Sequence, residues 1–530
     1  MPTGVARQKT FEFFVNSKGI NENDGILRLT PESAVSIINM HPTKTGEFTT
    51  HNCGYSEFSD QLESGADIDG VALFKSDSGA TSFMVATNGK VLDVNTSTGA
   101  LTGTITSANT AGEIVTFAPF KGSMYFAEET MEPNVWSGSG ASSTASGFPK
   151  TIGSDTYSKP SLVATHANRV IYGNFNGSTK YPSHLLIYDD LDPTTITTAT
   201  TNDIDGAVIQ INPGDGDALT ALKSKFVPAL GESILICFKS ASVWALTGTT
   251  PTTFAVLSIN PSWGCLNSRC AVDLGQDIVF MGRNNIYSLT TAAASGTLQP
   301  ETLGSKMVQE TLSTLNLSAA DKAYAVHLPF RHEVWFGIPT GASTTVDTML
   351  VYNYRHKDIN EPKWIIRKNM DATCGVVKDA DFYTGDGSGY LNVWFGSSKY
   401  KEVAYPWEYH IPFYDFGQRG QYKRIVELFA HFRVRRETTI TFEYSWKIGG
   451  NNTRRTTDRT LSGSLVVYGT AVYGTSQYST SDAIRVIKIP VVGNGALFDL
   501  TLTGTNGDVG LDFIGVSGVA EYGDFIKRYN

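Results

Sequence analysis

Short alternating runs of apolar residues, separated by tight polar turns, recur at residues 82–94, 123–136, 233–247 and 277–290. Within each, apolar side chains fall two apart. One run has Ile234, Ile236 and Phe238; another has Ile278 and Phe280 before its turn, then Ile286 and Tyr287. A period of two puts alternate side chains on one face of a strand, whereas a helix repeats every three to four. Each cassette therefore predicts a β-hairpin. Paired runs at 168–172, 185–188, 333–338, 349–352, 363–367 and 391–395 continue the series. Such a string predicts the blades of one radial structure, a β-propeller of six or seven blades over residues 63–405, with no single catalytic stretch.

Three regions depart from that pattern. Residues 1–62 read as an N-terminal arm packing on the C-terminal domain, and Thr30-Pro31 offers a cap and first-turn proline that predict a short helix over 29–39. In 305–315, Met307, Val308, Leu312 and Leu315 take a three-to-four spacing, which predicts a helix inserted between blades. Residues 406–530 carry longer alternating runs separated by turns such as 448–452 and 493–495, which predict an antiparallel β-sandwich. The expected class is all-β throughout.

Composition adds bounds. Hydrophobic residues make up 41% of 530, enough for a large core, and 51 glycines against 20 prolines suit many tight turns. No stretch nears the roughly 18 uninterrupted apolar residues of a membrane helix, and the N-terminus lacks a signal-peptide layout, so a cytoplasmically folded protein without membrane insertion is expected. Cys53, Cys237, Cys265, Cys270 and Cys374 are odd in number and form no C-x-x-C pair, which predicts free thiols. The formal net charge of −9 argues against gripping nucleic acid over the whole surface. Residues 406–530 hold 14 basic and 12 acidic residues, so the acidity lies in the rest of the chain.

Candidate chemistry is sparse. Asp215 and Asp217 are spaced for calcium, but a third ligand and a closing Glu are missing, which favours a turn. Residues 75–83 resemble a sialidase-type Asp box, itself a structural brace, with Lys75 and Ser82 in place of its Ser and Trp. None of the nine histidines is paired at metal-ligand spacing, and neither a nucleophile elbow nor a phosphate loop occurs. No catalytic residue, metal or cofactor is expected. The basic clusters Arg433, Arg435, Arg436 and Arg454, Arg455 are interleaved with Glu437, Glu443 and Asp458, which makes them candidate subunit-interface residues rather than a nucleic-acid face.

Three stretches together carry a resemblance: 215–222 with 233–248; 263–268 with 277–289; and 323–326 with 332–339 and 349–354, ending at Trp364. In this order they resemble the propeller core of the tail nozzle proteins of short-tailed bacteriophages, also called tail tubular protein B. Gly19-Ile-Asn21, Pro31 and Asn39 look like that family's opening segment, although Asn52-Cys-Gly54 stands where a basic Arg-x-Gly is usual. Residues 484–490 and 512–517 look like its terminal sandwich. The resemblance implies a structural protein of the virion tail, assembled in the host cytoplasm as a homo-oligomeric ring, commonly of six copies. Stacked under portal and adaptor, such a ring would retain the genome and then let it pass without sequence-specific binding. The alternative is a carbohydrate-binding or carbohydrate-cleaving propeller for host receptors, with Trp136 and Tyr181 as stacking platforms. A cellular propeller scaffold is a third reading.

Overall fold

The structure is a computed structural model. It describes residues 7–525 apart from 15–17, 23, 25–28, 30–32, 44–45, 199–201, 228–230, 276, 292–297, 305–307, 356–362, 417–420, 435–436, 448–453, 462–483 and 508–509. It is nearly all β. Local turn chemistry explains much of that. The strands Thr81–Thr87 and Lys90–Asn95 are joined by Asn88-Gly89, both at positive φ (46° and 70°), the backbone of a two-residue hairpin turn whose twist matches the strands. Lys121-Gly122 and Ala167-Asn168 do the same for the next two hairpins.

Each hairpin belongs to a four-stranded antiparallel unit whose strands pair in chain order. The first unit is Ile68–Lys75, Thr81–Thr87, Lys90–Asn95 and Leu101–Thr106. The second to fifth begin at Thr116–Phe120, Pro160–His166, Leu219–Val227 and Ala271–Asp273. The sixth comprises Tyr324–Leu328, Glu333–Ile338, Thr348–Asn353 and Lys363–Lys368. The seventh has only three strands of its own, Cys374–Lys378, Asp381–Gly385 and Leu391–Ser397. Its fourth, Gly54–Glu57, comes from far upstream.

Apolar clusters sit between neighbouring units. Phe74, Met84, Met124 and Trp136 join the first to the second, and Leu162, Leu185, Leu222 and Leu235 join the third to the fourth. Phe83, Val85, Leu92, Cys374, Tyr383 and Leu391 join the seventh back to the first. Burying side chains of this size on both faces of each sheet contributes about 1.5–3 kcal/mol apiece.

The chain ends build a second, layered region. One sheet runs Ile484–Lys488, Gln421–Val434, Leu511–Phe525, Phe48–Thr49 and His41–Pro42, with Arg7–Phe14 also on Leu511–Phe525. The other extends the sixth unit: after Lys363–Lys368 come Ser36–Ile38, Tyr405–Tyr414, Leu497–Asn506, Thr438–Lys447 and Arg455–Leu461, giving nine strands in one sheet. Between the layers Phe513 lies 5.0 Å from Tyr409, ring to ring, and within its own sheet 5.2 Å from its strand partner Phe432.

One helix expectation is corrected and the other is found in shorter form. Over 29–39 the described residues form the short strands Ser33–Ala34 and Ser36–Ile38, because β-branched Val35, Ile37 and Ile38 find a partner in Tyr405–Tyr414. Thr30 and Pro31 lie outside the described residues. Over 305–315 the helix is one turn, Gln309–Ser313, anchored by buried Val308 and Leu312; Met307 lies outside the described residues.

Candidate functional site: a shared cavity and a buried junction

The first strands of all seven units line one cavity of about 430 Å³, to which they contribute Gly70–Ala72, Thr116–Pro119, Leu162–Thr165, Leu222–Ser224, Ala271–Val272, Tyr324–Ala325 and Cys374–Gly375. Its wall mixes apolar side chains with Thr116, Thr165, Ser224 and Ser268 and holds two cations, Lys223 and Arg269. Arg269 donates from Nη1 to the Asp69 carbonyl at 2.6 Å and from Nη2 to the Asp321 carbonyl at 2.9 Å. Burial pushes the Lys223 ammonium below its usual pKa, with Cys265 and Asp273 opposing that push. Ser224, also in the wall, shares a 2.9 Å hydrogen bond with Nδ1 of buried His166.

A second polar cluster is buried where the sixth unit meets the layered region. Glu333 has no exposed surface. Its Oε1 lies 3.0 Å from His41 Nε2 and accepts from Asn353 Nδ2 at 2.9 Å, while Oε2 accepts from Trp335 Nε1 at 2.9 Å and faces Arg331 Nε at 3.5 Å. Burial alone would raise this carboxyl. His41, Arg331 and Trp335 outweigh it and hold Glu333 well below the usual carboxylate range. Burial lowers His41 to about 4, so near neutral pH the ring is uncharged and its Nε2–H donates to an ionised Glu333.

Aromatic rings complete the junction. Arg331 stacks over Phe395 at 4.0 Å, and the Arg367 guanidinium lies 4.8 Å from the Trp335 ring while donating to the Cys53 carbonyl at 2.7 Å. Phe395 adopts φ of 70°, a left-handed conformation unusual for a large residue, at an irregularity in the Leu391–Ser397 strand. Three elements distant in sequence are thereby tied together: Glu333–Ile338, His41–Pro42 and Leu391–Ser397.

The residues singled out from sequence fall in different places. Arg433 pairs within the chain, with Glu47 at 2.9 Å and Asp512 at 3.1 Å. Arg435 and Arg436 lie outside the described residues. Arg454 and Arg455 are exposed, the former paired with Glu443. Asp215 and Asp217 are engaged by protein donors: Lys239 Nζ reaches both oxygens of Asp215 at 2.8 and 2.7 Å, and Ser240 N donates to Asp217 at 3.0 Å. This staples the third unit's exit to the fourth unit's central turn. Residues 76–80 form the exposed turn between the first two strands of the first unit, closed by Ala80 N on Ser76 Oγ at 3.0 Å.

One expectation about aromatics is corrected, and Tyr181 is half-buried. Trp136 is 1% exposed against Phe74, with its Nε1 on the Gly140 carbonyl, so it offers no stacking face. Tyr181 packs on Tyr157 and His184 and donates to Asp155 at 3.0 Å. All five cysteines are free and buried. Sequence reasoning missed Lys223, Arg269, His41, Glu333 and Arg367. The one signal for any of them is a charge set inside an apolar run, as in residues 331–338.

Among the described residues no cluster of His, Cys, Asp and Glu is arranged to hold a metal, and no helix is long and apolar enough to cross a membrane. No family model matches the chain, and no curated protein does. One solved structure it resembles is the computationally designed Ika8 protein, with 12% identity and a TM-score of 0.36 over 64% of this chain and 99% of the designed one. At that level of similarity the comparison assigns the chain to no family.

Proposed function

We propose that this chain is a wall subunit of a multimeric conduit, the tail nozzle of a short-tailed bacteriophage. In this reading the seven units are the blades of a closed seven-bladed propeller, and the layered region is the platform through which copies meet. One observation carries it: among the described residues both sheets of that region end in an edge strand with no further partner. Beyond Arg455–Leu461 no strand follows among the described residues, and its Arg455, Thr456, Asp458, Arg459 and Thr460 are exposed. The other sheet ends at Ile484–Lys488, where Ile484 and Val486 are 54% and 56% exposed. Open edges with apolar side chains invite pairing with another chain, and a head-to-tail contact that closes on itself makes a ring.

Charge supports the same arrangement. A basic edge on one copy complements the acidic body of the next, and an acidic wall repels phosphate over about 8 Å at physiological salt. The shared cavity of about 430 Å³ has the size of a small-molecule pocket, so the DNA path is the space enclosed by the copies, not the axis of one chain. Portal and adaptor rings are the partners this reading requires, with no enzymatic step. The glycan-binding alternative loses one of its two platforms with the burial of Trp136.

Native mass spectrometry and electron microscopy of the purified chain test the proposal. Closed rings are expected, and the double variant I484E/V486E should disperse them to monomers of unchanged melting temperature. A wild-type chain that stays monomeric at every soluble concentration overturns it.

A further inference from the structure

The charge of the shared cavity runs against that of the molecule. The chain carries a formal net charge of −9, yet the residues lining the cavity include two cations, Lys223 and Arg269, and no carboxylate. A charge drawn out of bulk water into a cavity is costly unless something neutralises it.

Among the described residues no carboxylate lies within ion-pair distance of either cation, although Asp273 and Asp69 act on them from further away. Arg269 gives its terminal nitrogens to main-chain carbonyls, and its Nε is buried without an acceptor. The Asp69 carboxylate accepts instead from Gly112 N at 3.1 Å. Asp273, whose field reaches Lys223, accepts from Lys225 Nζ at 2.9 Å and Gly275 N at 2.8 Å. The Lys223 ammonium itself makes no hydrogen bond among the described residues. Two positive groups, Lys223 and Arg269, thus line one cavity with unused donors.

We propose that the shared cavity binds a small oxyanion, a phosphate or carboxylate of a few heavy atoms. The Lys223 ammonium supplies its counter-charge, while the unpartnered Arg269 Nε donates to it. The cavity's roughly 430 Å³ lies at the lower end of small-ligand pockets, which admits such an ion and excludes a polymer. Lys223 belongs to the fourth unit, and Arg269 precedes the fifth while holding the first through the Asp69 carbonyl. A bound anion therefore links three units. Oligomeric state does not enter the argument, so this proposal and the conduit reading stand or fall separately.

The test is calorimetric titration of the full chain with inorganic phosphate and, separately, citrate, for wild type, K223M and the surface control K75M. Saturable one-site binding of at least one anion is expected, weakened about tenfold or more in K223M and unchanged in K75M. A second measurement needs no variant: acylation of Lys223 at neutral pH, read by peptide mass, should be slowed by the same anion. Absence of binding by both anions, K223M binding like wild type, or labelling indifferent to the anion would each overturn the proposal.

Discussion

The seven-unit body and the layered region use the same strands and differ in where their partners come from. In the body, neighbours in the sheet are neighbours in the chain, as with Thr81–Thr87 on Lys90–Asn95 across two residues. In the layered region, Arg7–Phe14 pairs with Leu511–Phe525 and Ser36–Ile38 with Tyr405–Tyr414. Pairing across two residues closes almost no loop, whereas pairing across hundreds must first overcome loop-closure entropy. The body can thus assemble unit by unit. The layered region, and the seventh unit with it, requires both ends of the chain.

That dependence is sharpest at Gly54. It opens the upstream strand that completes the seventh unit, and a Cβ there would run into the main chain of Lys399. No flexible side chain can yield. Gly54→Ala is expected to displace Gly54–Glu57 and destabilise the protein by about 3 kcal/mol or more, the range of severe steric substitutions. Urea unfolding followed by circular dichroism measures it. The same substitution at Gly103, whose added Cβ meets nothing within 4 Å, is the control and should shift stability far less. Equal effects at both sites would mean that the body does not need its upstream strand.

The hairpins of the body were legible because their information is local: Asn88-Gly89 dictates a turn and the flanking alternation dictates two strands. The strand Ser36–Ile38 was not, because its partner lies far along the chain and the Thr30-Pro31 signal favoured a helix. Nor was Gly54–Glu57, four residues with nothing to mark them as the edge of a sheet over 300 residues downstream. The sites divide similarly. Lys223 reads as an ordinary strand lysine beside Lys225, and only the arrangement of seven first strands turns it into a cavity cation. Arg433 and Arg454 look alike in sequence, yet one is clamped by Glu47 and Asp512 and the other is exposed.

The junction between the two regions gives an intermediate effect through pH. Burial lowers His41 to about 4 from 6.5, and His166 in the body likewise to about 4. Each therefore binds more protons unfolded than folded between those values. Their stability is fully present above about pH 6.5 and is lost as pH falls toward 4, by about 2–3 kcal/mol per histidine. Glu333, also held low, adds further loss below its usual 4.5. Chemical unfolding from pH 7.5 down to 4.5 should show this decline. His41→Gln should remove the junction's share and leave that of His166; an unaltered slope would show that His41 is not the group titrating.

The smallest effect separates stability from assembly. Arg454 is 60% exposed and, among the described residues, paired with Glu443, and Arg455 beside it is exposed as well, so screening by water leaves little for either to contribute within one chain. R454A/R455A should change unfolding free energy by no more than about 0.5 kcal/mol. If this edge meets an acidic neighbour, the same pair of substitutions should loosen assembly, and added salt should loosen the wild type in the same direction. Sedimentation velocity at low and high salt reads both. A variant that assembles like wild type at every salt would remove these arginines from the interface. The apolar pair Ile484 and Val486 would then have to hold copies together, since hydrophobic burial is not weakened by salt.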